Sequence, residues 1–273
     1  MNLLRSNHLI MVRGANDIGS AVAHRLFTSG YAVVIHEIPQ PTTARRRMAF
    51  TDAVFDGRVR LEGIDAKLVT KISLVPQILS THLLIPILVQ DLQECLKYLR
   101  PDVLVDGRMR KHSQPEAQRG LAELTIGLGP NFIAGETTDL AIETGWGESL
   151  GQVIEQSATH PLEGEPREIE GHARDRYVYA PLGGVFHTSL DIGEVVQQGQ
   201  TVAFIESNIL FAPITGVLRG LTRDGIPVSQ NTKVIEVDPR VQSPQVSGIG
   251  ERPARIAEGV LTAIHRWEKG HAH

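Results

Sequence analysis

The sequence has little cysteine, little net charge and no long apolar run. One cysteine among 273 residues excludes an intramolecular disulfide and any zinc site built from several cysteines. The formal net charge of −4 gives no electrostatic reason to expect nucleic acid as a partner. No run of about 18 apolar residues and no signal-peptide pattern is present, so we expect a cytoplasmic protein that makes no membrane contact.

What the sequence does contain is enough apolar surface for a core. Hydrophobic residues make up 41% and charged residues 21%, which is typical of a globular protein with one large or two ordinary domains. Cys95 lies among the apolar positions of a predicted helix, "DLQECLKYL", and we expect it in the core. The histidines are scattered without the spacing of metal ligands, so no metal site is predicted.

The first part of the chain alternates between apolar strands and helices. "HLIMVRG" predicts a strand, "DIGSAVAHRLFTSG" a helix that ends at Gly30, and "YAVVIHE" a second strand. "HLLIPILVQ", "DLQECLKYLR" and "PDVLVDGRM" repeat this β-α-β order, and "RVRLEGIDAKLV" alternates like a hairpin around Gly63. Because β-α-β units join parallel strands, residues 1–160 are predicted to form a doubly wound, Rossmann-like α/β domain.

An internal repeat follows a polar, proline- and glycine-containing linker. "APLGGVFHTSLDIGEVVQQGQ" begins at Ala180 and "APITGVLRGLTRDGIPVSQN" begins at Ala212, an offset of 32 residues. Two such short strand-turn-strand copies cannot bury a face alone, which predicts a small β-sandwich over residues 175–240. In residues 241–273, "ERPARIAEGVLTAIHRWEKG" is amphipathic and predicts a helix that packs back on the α/β domain.

The turn "RGANDIG" after the first strand is similar to a dinucleotide-binding loop, with one change. Gly14 and Gly19 match the first and third glycines of G-x-G-x-x-G, but Asn16 replaces the middle one, where the pyrophosphate would lie. Glu37 ends the second strand, where an acid can bind a ribose hydroxyl. Two interpretations stay open: a nucleotide site, or a capped helix start with no ligand.

Further polar residues are expected at the same edge of the sheet. Three consecutive arginines after the second strand can hold phosphate oxygens, and the glycines of "IGLGPNF" can bring backbone N–H groups close to a ligand. The carboxyl ends of parallel strands form the ligand crevice of open α/β sheets. The candidate binding residues are Arg13, Gly14, Asn16, Gly19, Glu37, Arg45, Arg46, Arg47, Asp106, Arg108, Gly127, Gly129 and Glu143. No proton-relay set stands out, so no catalytic residue is assigned.

Four stretches carry a family resemblance that runs through nearly the whole chain. "VRGANDIG", "PDVLVDGRM", "IGLGPNF" and "APLGGVF" together resemble the selenium-dependent molybdenum hydroxylase accessory protein family. The resemblance implies a role in enzyme maturation, a molybdenum hydroxylase as client and a pterin-dinucleotide ligand. The repeat region resembles the lipoyl/biotinyl barrel-sandwich fold, but "IESNILFAP" has no lysine to modify, so neither biotin nor lipoate is expected.

Three hypotheses about function follow from the sequence. The first is an accessory protein whose α/β domain binds a nucleotide, which is NAD(P), ATP or molybdopterin dinucleotide. The second is an NAD(P)-dependent oxidoreductase of Rossmann type, and the third is a non-catalytic interaction scaffold. Whether the chain is an enzyme stays open. Pairing of edge strands in the repeat region would produce a homo-oligomer.

Overall fold

The computed structural model describes residues 8–110, 113–161 and 166–271 of the chain. These divide into two compact units, each with its own hydrophobic core. Unit 1 comprises Met1–Pro39, Ala49–Glu163 and Ile249–His273, and unit 2 comprises Gln40–Met48 and Gly164–Gly248.

Unit 1 is built on a nine-stranded mixed sheet in the order β3-β4-β5-β2-β1-β6-β7-β8-β9. The seven strands from β4 to β8 in this order run parallel, whereas β3 and β9 pair antiparallel at the two edges. The central strands are nearly continuous apolar runs because both faces of the sheet are covered. The strands are β1 (Leu9–Arg13), β2 (Ala32–His36), β3 (Arg58–Leu61), β4 (Ile64–Leu68), β5 (Ile85–Leu88), β6 (Val103–Asp106), β7 (Leu124–Leu128), β8 (Leu140–Ile142) and β9 (Val153–Ile154).

Among the residues that the structure describes, unit 1 has five α-helices, which divide between the two faces of the sheet. They are α1 (Asp17–Thr28), α2 (Ala53–Asp56), α3 (Val75–Thr81), α4 (Leu92–Leu99) and α5 (Glu251–His271). On one face, α1 and α5 pack together in a cluster with Ile256, Val260 and Ile264 of α5 fully buried. On the other face lies Cys95, fully buried as predicted, and burial raises the pKa of its thiol to about 11. Within the described ranges, no helix has the length and apolar character needed to cross a bilayer.

The mixed sheet shows that the predicted Rossmann-like, doubly wound parallel domain is wrong. A doubly wound sheet alternates strand and helix in both halves. In the described part of the chain, no helix connects β6 to β7 or β7 to β8, and both edge strands are antiparallel. The turn after β7 is made by Gly129 and Asn131, whose φ angles of 104° and 72° reverse the chain without starting a helix.

Unit 2 consists of two four-stranded antiparallel sheets, in the orders β10-β17-β15-β12 and β14-β13-β11-β16. Strands of the two sequence repeats pair with each other, since β11 pairs with β16 and β12 with β15. The strands are β10 (Tyr177–Tyr179), β11 (Gly184–His187), β12 (Val195–Val196), β13 (Thr201–Ile205), β14 (Asn208–Phe211), β15 (Gly216–Leu221), β16 (Ile226–Val228) and β17 (Lys233–Asp238).

The expected lipoyl/biotinyl barrel-sandwich built from the two repeats is also wrong. Strand β10 precedes the first repeat and pairs with β17, the last strand of the second repeat. The segment Gln40–Met48 joins unit 2 as well, where the backbone N–H of Leu221 donates to the carbonyl of Ala44 at 2.8 Å. Strands and segments from outside the repeats therefore complete the unit.

Candidate functional site

Parallel register brings several candidate residues to one edge of the unit 1 sheet. Arg13 at the end of β1 lies opposite Asp106 at the end of β6 and opposite His36 at the end of β2. Asp106 in turn lies opposite Gly127 of β7. Because these strands are parallel, their carboxyl ends meet on one side, as the sequence pattern predicts for this part of the sheet.

Arg13 and Asp106 form the buried part of a charged network. Arg13 is 6% exposed, and its Nη1 donates to Gln118 Oε1 at 2.8 Å and to Glu116 Oε1 at 3.0 Å. Asp106 is 2% exposed and accepts from Gln118 Nε2 at 2.6 Å and from Arg108 Nε at 2.9 Å. The two buried charges lie 3.7 Å apart, and Gln118 links them by bonding both. Such pairing is what allows ionised groups to be buried.

Three guanidinium groups converge on the one carboxylate of Glu116. Its Oε1 lies 3.0 Å from Arg13 Nη1 and 2.5 Å from Arg108 Nη2, and Arg110 donates to its Oε2. The side chain of Glu116 is 46% exposed and that of Arg110 is 35% exposed. The Nε of Arg13 is buried and has no hydrogen-bond partner within the described residues. Glu116 is thus the solvent-facing anion of the network, and Asp106 is the buried one.

The arginines keep both acids of the network ionised. Burial alone would raise the pKa of Asp106, but hydrogen bonds and charge from Arg108, with the charge of Arg13, lower it overall. Burial likewise opposes ionisation of Glu116, and the hydrogen bonds from Arg108 and Arg110 hold its pKa far below the usual range. Three guanidinium groups therefore face two carboxylates at neutral pH.

His36 lies beside the network and adds no charge to it. Its Nε2 donates to the carbonyl of Gln90 at 2.9 Å. Burial lowers the pKa of His36, and the positive charges of Arg13 and Arg108 lower it further. The imidazole is consequently neutral at pH 7.

In the first glycine loop, protein side chains accept hydrogen bonds from the backbone N–H groups that a nucleotide would need. Asn16 is the N-cap of α1, and its Oδ1 accepts from the N–H groups of Ile18 at 2.9 Å and Gly19 at 3.0 Å. The N–H of Ala15 donates to Glu37 Oε2 at 2.6 Å, and burial raises the pKa of that carboxyl. Since these donors are occupied, the expected nucleotide-binding role of the loop is wrong, and Glu37 serves as a cap for the loop.

The glycines of both loops are explained by close packing and turns. A β carbon on Gly19 would lie 2.0 Å from the carbonyl oxygen of Gly14, so α1 approaches the loop only because residue 19 has no side chain. A β carbon on Gly127 would lie 2.1 Å from the ring of Phe132. Gly14 and Gly129 are turn residues directly after β1 and β7. Their backbone conformations require no ligand.

Glu143, predicted at the same edge, is engaged with its own loop. It is 2% exposed and accepts from the backbone N–H groups of Thr144 and Gly145, both at 2.7 Å, and of His160 at 2.8 Å. Its carboxylate therefore bonds three donors from the chain around it and orders the loop after β8.

The three consecutive arginines lie in unit 2 and pair with acids there. Arg45 binds Glu236 with both Nε at 2.8 Å and Nη2 at 3.0 Å. Arg46 and Arg47 both donate to Asp191, at 3.3 Å and 2.8 Å. These arginines thus belong to unit 2, whereas Arg13 belongs to unit 1.

Three members of the unit 1 network were not predicted: Arg110, Glu116 and Gln118. All lie in the irregular segment between β6 and β7, which contains "GRMRKHSQPEAQRG". The mixture of arginines and acids directly after a buried strand is a signal that could have identified them.

A second feature of unit 1 lies away from this edge. A cavity of about 1030 Å³ is lined by His8, Tyr31, His82, His265 and Trp267 among others, and contains no candidate residue from the sequence. In the ranges that the structure describes, no group of three or more His, Cys, Asp or Glu side chains is placed to hold a metal ion.

Comparison with known proteins gives one similar sequence and several distant structures. No family model matches the chain. The Escherichia coli K12 protein "Uncharacterized protein YqeB" is 35% identical over 258 residues, which cover 94% of this chain and 47% of that protein. The chain therefore spans about half the length of the curated relative it matches.

The solved structures that are similar to this chain share much less sequence identity with it. An aspartoacylase family protein from Mesorhizobium loti is 11% identical over 84% of both chains, with a TM-score of 0.25. A succinylglutamate desuccinylase/aspartoacylase from Rhodobacter sphaeroides is 16% identical over 85% of both chains, with a TM-score of 0.27. The apo ectoine utilization protein EutE (DoeB) from Ruegeria pomeroyi is 12% identical over 85% of this chain and 86% of its own, with a TM-score of 0.25. Structural similarity at these TM-scores does not support the assignment of any activity to this chain.

These comparisons correct the expected family. Membership of the selenium-dependent molybdenum hydroxylase accessory family is wrong, because no family model matches the chain. The expected maturation role and pterin-dinucleotide ligand, which depended on that resemblance, are wrong as well. The alternative of a Rossmann-type oxidoreductase is wrong as well, because the sheet is mixed and the loop donors are occupied.

Proposed function

We propose that unit 1 binds a small carboxylate-bearing molecule at the carboxyl edge of its sheet, with Arg13, Arg108 and Arg110 as the binding residues. One observation carries the proposal: the guanidinium groups of these three residues converge on the half-exposed carboxylate of Glu116. A carboxylate in solution has the same charge and shape as the end of that side chain. It can therefore make the same bonds when Glu116 turns away.

The two acids of the network have different roles in this proposal. Asp106 is buried and accepts hydrogen bonds from both the backbone N–H and the side chain of Arg108, so it fixes the position of that arginine. Glu116 lies in the irregular segment before β7, at the solvent side of the arginines. Removal of Glu116 leaves three guanidinium groups and one buried acid, which strengthens the attraction for an added anion.

The ligand class follows from the geometry of the arginines. A guanidinium group presents parallel N–H donors that match the two oxygens of a carboxylate. A hydrogen bond to a charged group is worth about 1.5–3 kcal/mol, so loss of Arg108 is expected to weaken carboxylate binding by roughly 10- to 150-fold. Substitution of Glu116 removes a side chain that competes with the ligand for the arginines, so it is expected to strengthen carboxylate binding.

Isothermal titration calorimetry with acetate, succinate and citrate tests the proposal. We expect Glu116→Gln to bind these anions more tightly than the wild type, and Arg108→Gln to bind them more weakly. Arg119→Gln is the matched control, because this exposed arginine lies in the same segment but pairs with Asp139. Absence of carboxylate binding in both the wild type and Glu116→Gln would refute the proposal.

A further inference from the structure

Strand β14 is an edge of one sheet of unit 2 and carries no charged residue. It reads "NILF" from Asn208 to Phe211, and within the described ranges it pairs on one side only, with β13. The opposite edge of the same sheet is β16, which contains Pro227. Proline cannot donate a backbone hydrogen bond, so it is one of the features that prevent an edge strand from pairing with another chain. Strand β14 has neither proline nor charge and lacks this protection.

The outward side chains of β14 form an apolar row with a neighbour on β13. Ile209 lies opposite Phe204 of β13, and the two residues are 54% and 46% exposed. Phe211 lies two residues along β14, on the same face, and is 49% exposed. On the other face, Leu210 is buried in the core of unit 2. An antiparallel sheet with one face on the core usually presents polar side chains to solvent, so this exposed apolar row indicates a contact surface.

The backbone groups of Ile209 and Phe211 point away from β13. Ala212 faces β13, because its N–H donates to the carbonyl of Gln200 at 2.8 Å and its carbonyl accepts from the N–H of Gly199 at 2.9 Å. Successive residues of an antiparallel strand direct their N–H and C=O groups to alternate sides. Phe211 and Ile209, one and three positions before Ala212, therefore direct their backbone groups to the open edge, where a further strand can bind them.

A second copy of the same strand fits this edge. When two β14 strands run antiparallel about a twofold axis at Leu210, Ile209 of each copy lies opposite Phe211 of the other. Because both residues direct their backbone groups outward, each pair can exchange both of its N–H···O hydrogen bonds. An axis at Ile209 would instead place Phe211 opposite Ser207 in the preceding turn. The strand therefore matches itself in one register, in both its backbone groups and its apolar side chains.

We propose that this chain forms a homodimer by antiparallel pairing of strand β14 of unit 2 with its own copy, with Ile209 and Phe211 as the contact residues. The sequence predicts pairing of edge strands in the repeat region without indicating which strand pairs. Exposure, backbone direction and self-complementarity favour β14. The pairing satisfies backbone groups of the open edge and removes apolar side chains from water. Since the contact is small, we expect a reversible dimer whose population depends on protein concentration. This proposal is independent of the carboxylate site proposed for unit 1.

Sedimentation velocity of the full chain at increasing protein concentration tests the proposal, with the wild type, Ile209→Lys and the control Val195→Lys. Val195 is a matched control, because it is also 54% exposed and lies on β12, an edge strand of the other sheet of unit 2. We expect the wild type and Val195→Lys to dimerise with equal dissociation constants. In Ile209→Lys the dimer should weaken by about tenfold or more, because the substitution alters both symmetric pairs. A wild type that stays monomeric throughout, or an Ile209→Lys variant that associates as the wild type does, would overturn the proposal.

Two further measurements test the register. In the wild type, amide exchange followed by NMR should slow at Ile209 and Phe211 as the protein concentration rises, and should not change in β16. An equimolar mixture of Ile209→Lys and Phe211→Glu chains places opposite charges across one pair and keeps the native second pair. We expect this mixture to associate more strongly than either variant alone. Exchange rates that do not depend on concentration, or a mixture that associates no more strongly than its components, would contradict the pairing of β14 with itself.

Discussion

Substitution of Asp106 by asparagine tests whether the charged network at the sheet edge holds unit 1 together. Asp106 accepts from Arg108 and Gln118 and lies 3.7 Å from Arg13, which is only 7% exposed in its side chain. The amide keeps the shape of the carboxylate but removes its charge. Arg13 is then left buried with Glu116 as its remaining anion.

The size of the effect follows from burial. Removing one partner of a buried ion pair costs about 3–5 kcal/mol, because the other charge stays in the interior without compensation. The pH dependence has a definite sign. The folded pKa of Asp106 is lower than that of an unfolded chain, about 3.9, so its contribution is present above that value and is lost as pH falls through the folded pKa. Asp106→Asn should therefore be destabilised at pH 7 and lose less stability on acidification than the wild type.

Urea denaturation followed by tryptophan fluorescence measures this effect in unit 1. Both tryptophans of the chain, Trp146 and Trp267, belong to that unit, so the signal does not report on unit 2. Glu155→Gln is the control, since it breaks an exposed pair with Arg266 that is worth about 0–1 kcal/mol. If Asp106→Asn lost less than about 1 kcal/mol at pH 7, the network would not be the buried ion cluster that we describe.

Three further predictions concern the first loop and the core. Asn16→Ala removes the cap of α1 and should lower the free energy of unfolding by about 0.5–2 kcal/mol in urea titrations, whereas an unchanged midpoint would contradict the capping role. Gly19→Ala places a β carbon 2.0 Å from the oxygen of Gly14 and should lower the Tm by many degrees, whereas Gly270→Ala, which meets nothing within 4 Å, should not. Cys95 should react with a thiol reagent at pH 8 far more slowly in the folded than in the unfolded chain, because it is buried and its pKa is raised to about 11; equal rates would contradict its core position.

Local elements of unit 1 could be predicted because their signals lie within a few residues. The helix predicted after the first loop is α1, and the capping residue is Asn16, the same residue that departs from the glycine pattern. The hairpin around Gly63 is β3-β4, where Glu62 and Gly63 adopt φ angles of 43° and 83°. That hairpin already contains one antiparallel edge of the sheet, between β3 and β4. The other antiparallel edge, between β8 and β9, has no such local signal and escaped prediction.

The candidate site residues also include some whose positions local patterns predict and some whose positions they do not. Arg13, Asp106 and Arg108 were predicted together because parallel strands end on one side of a sheet, and the structure places them in contact. Arg45 was assigned to that edge from its position after the second strand. Its partner is Glu236, 191 residues further along the chain, and nothing near Arg45 in the sequence indicates that pairing.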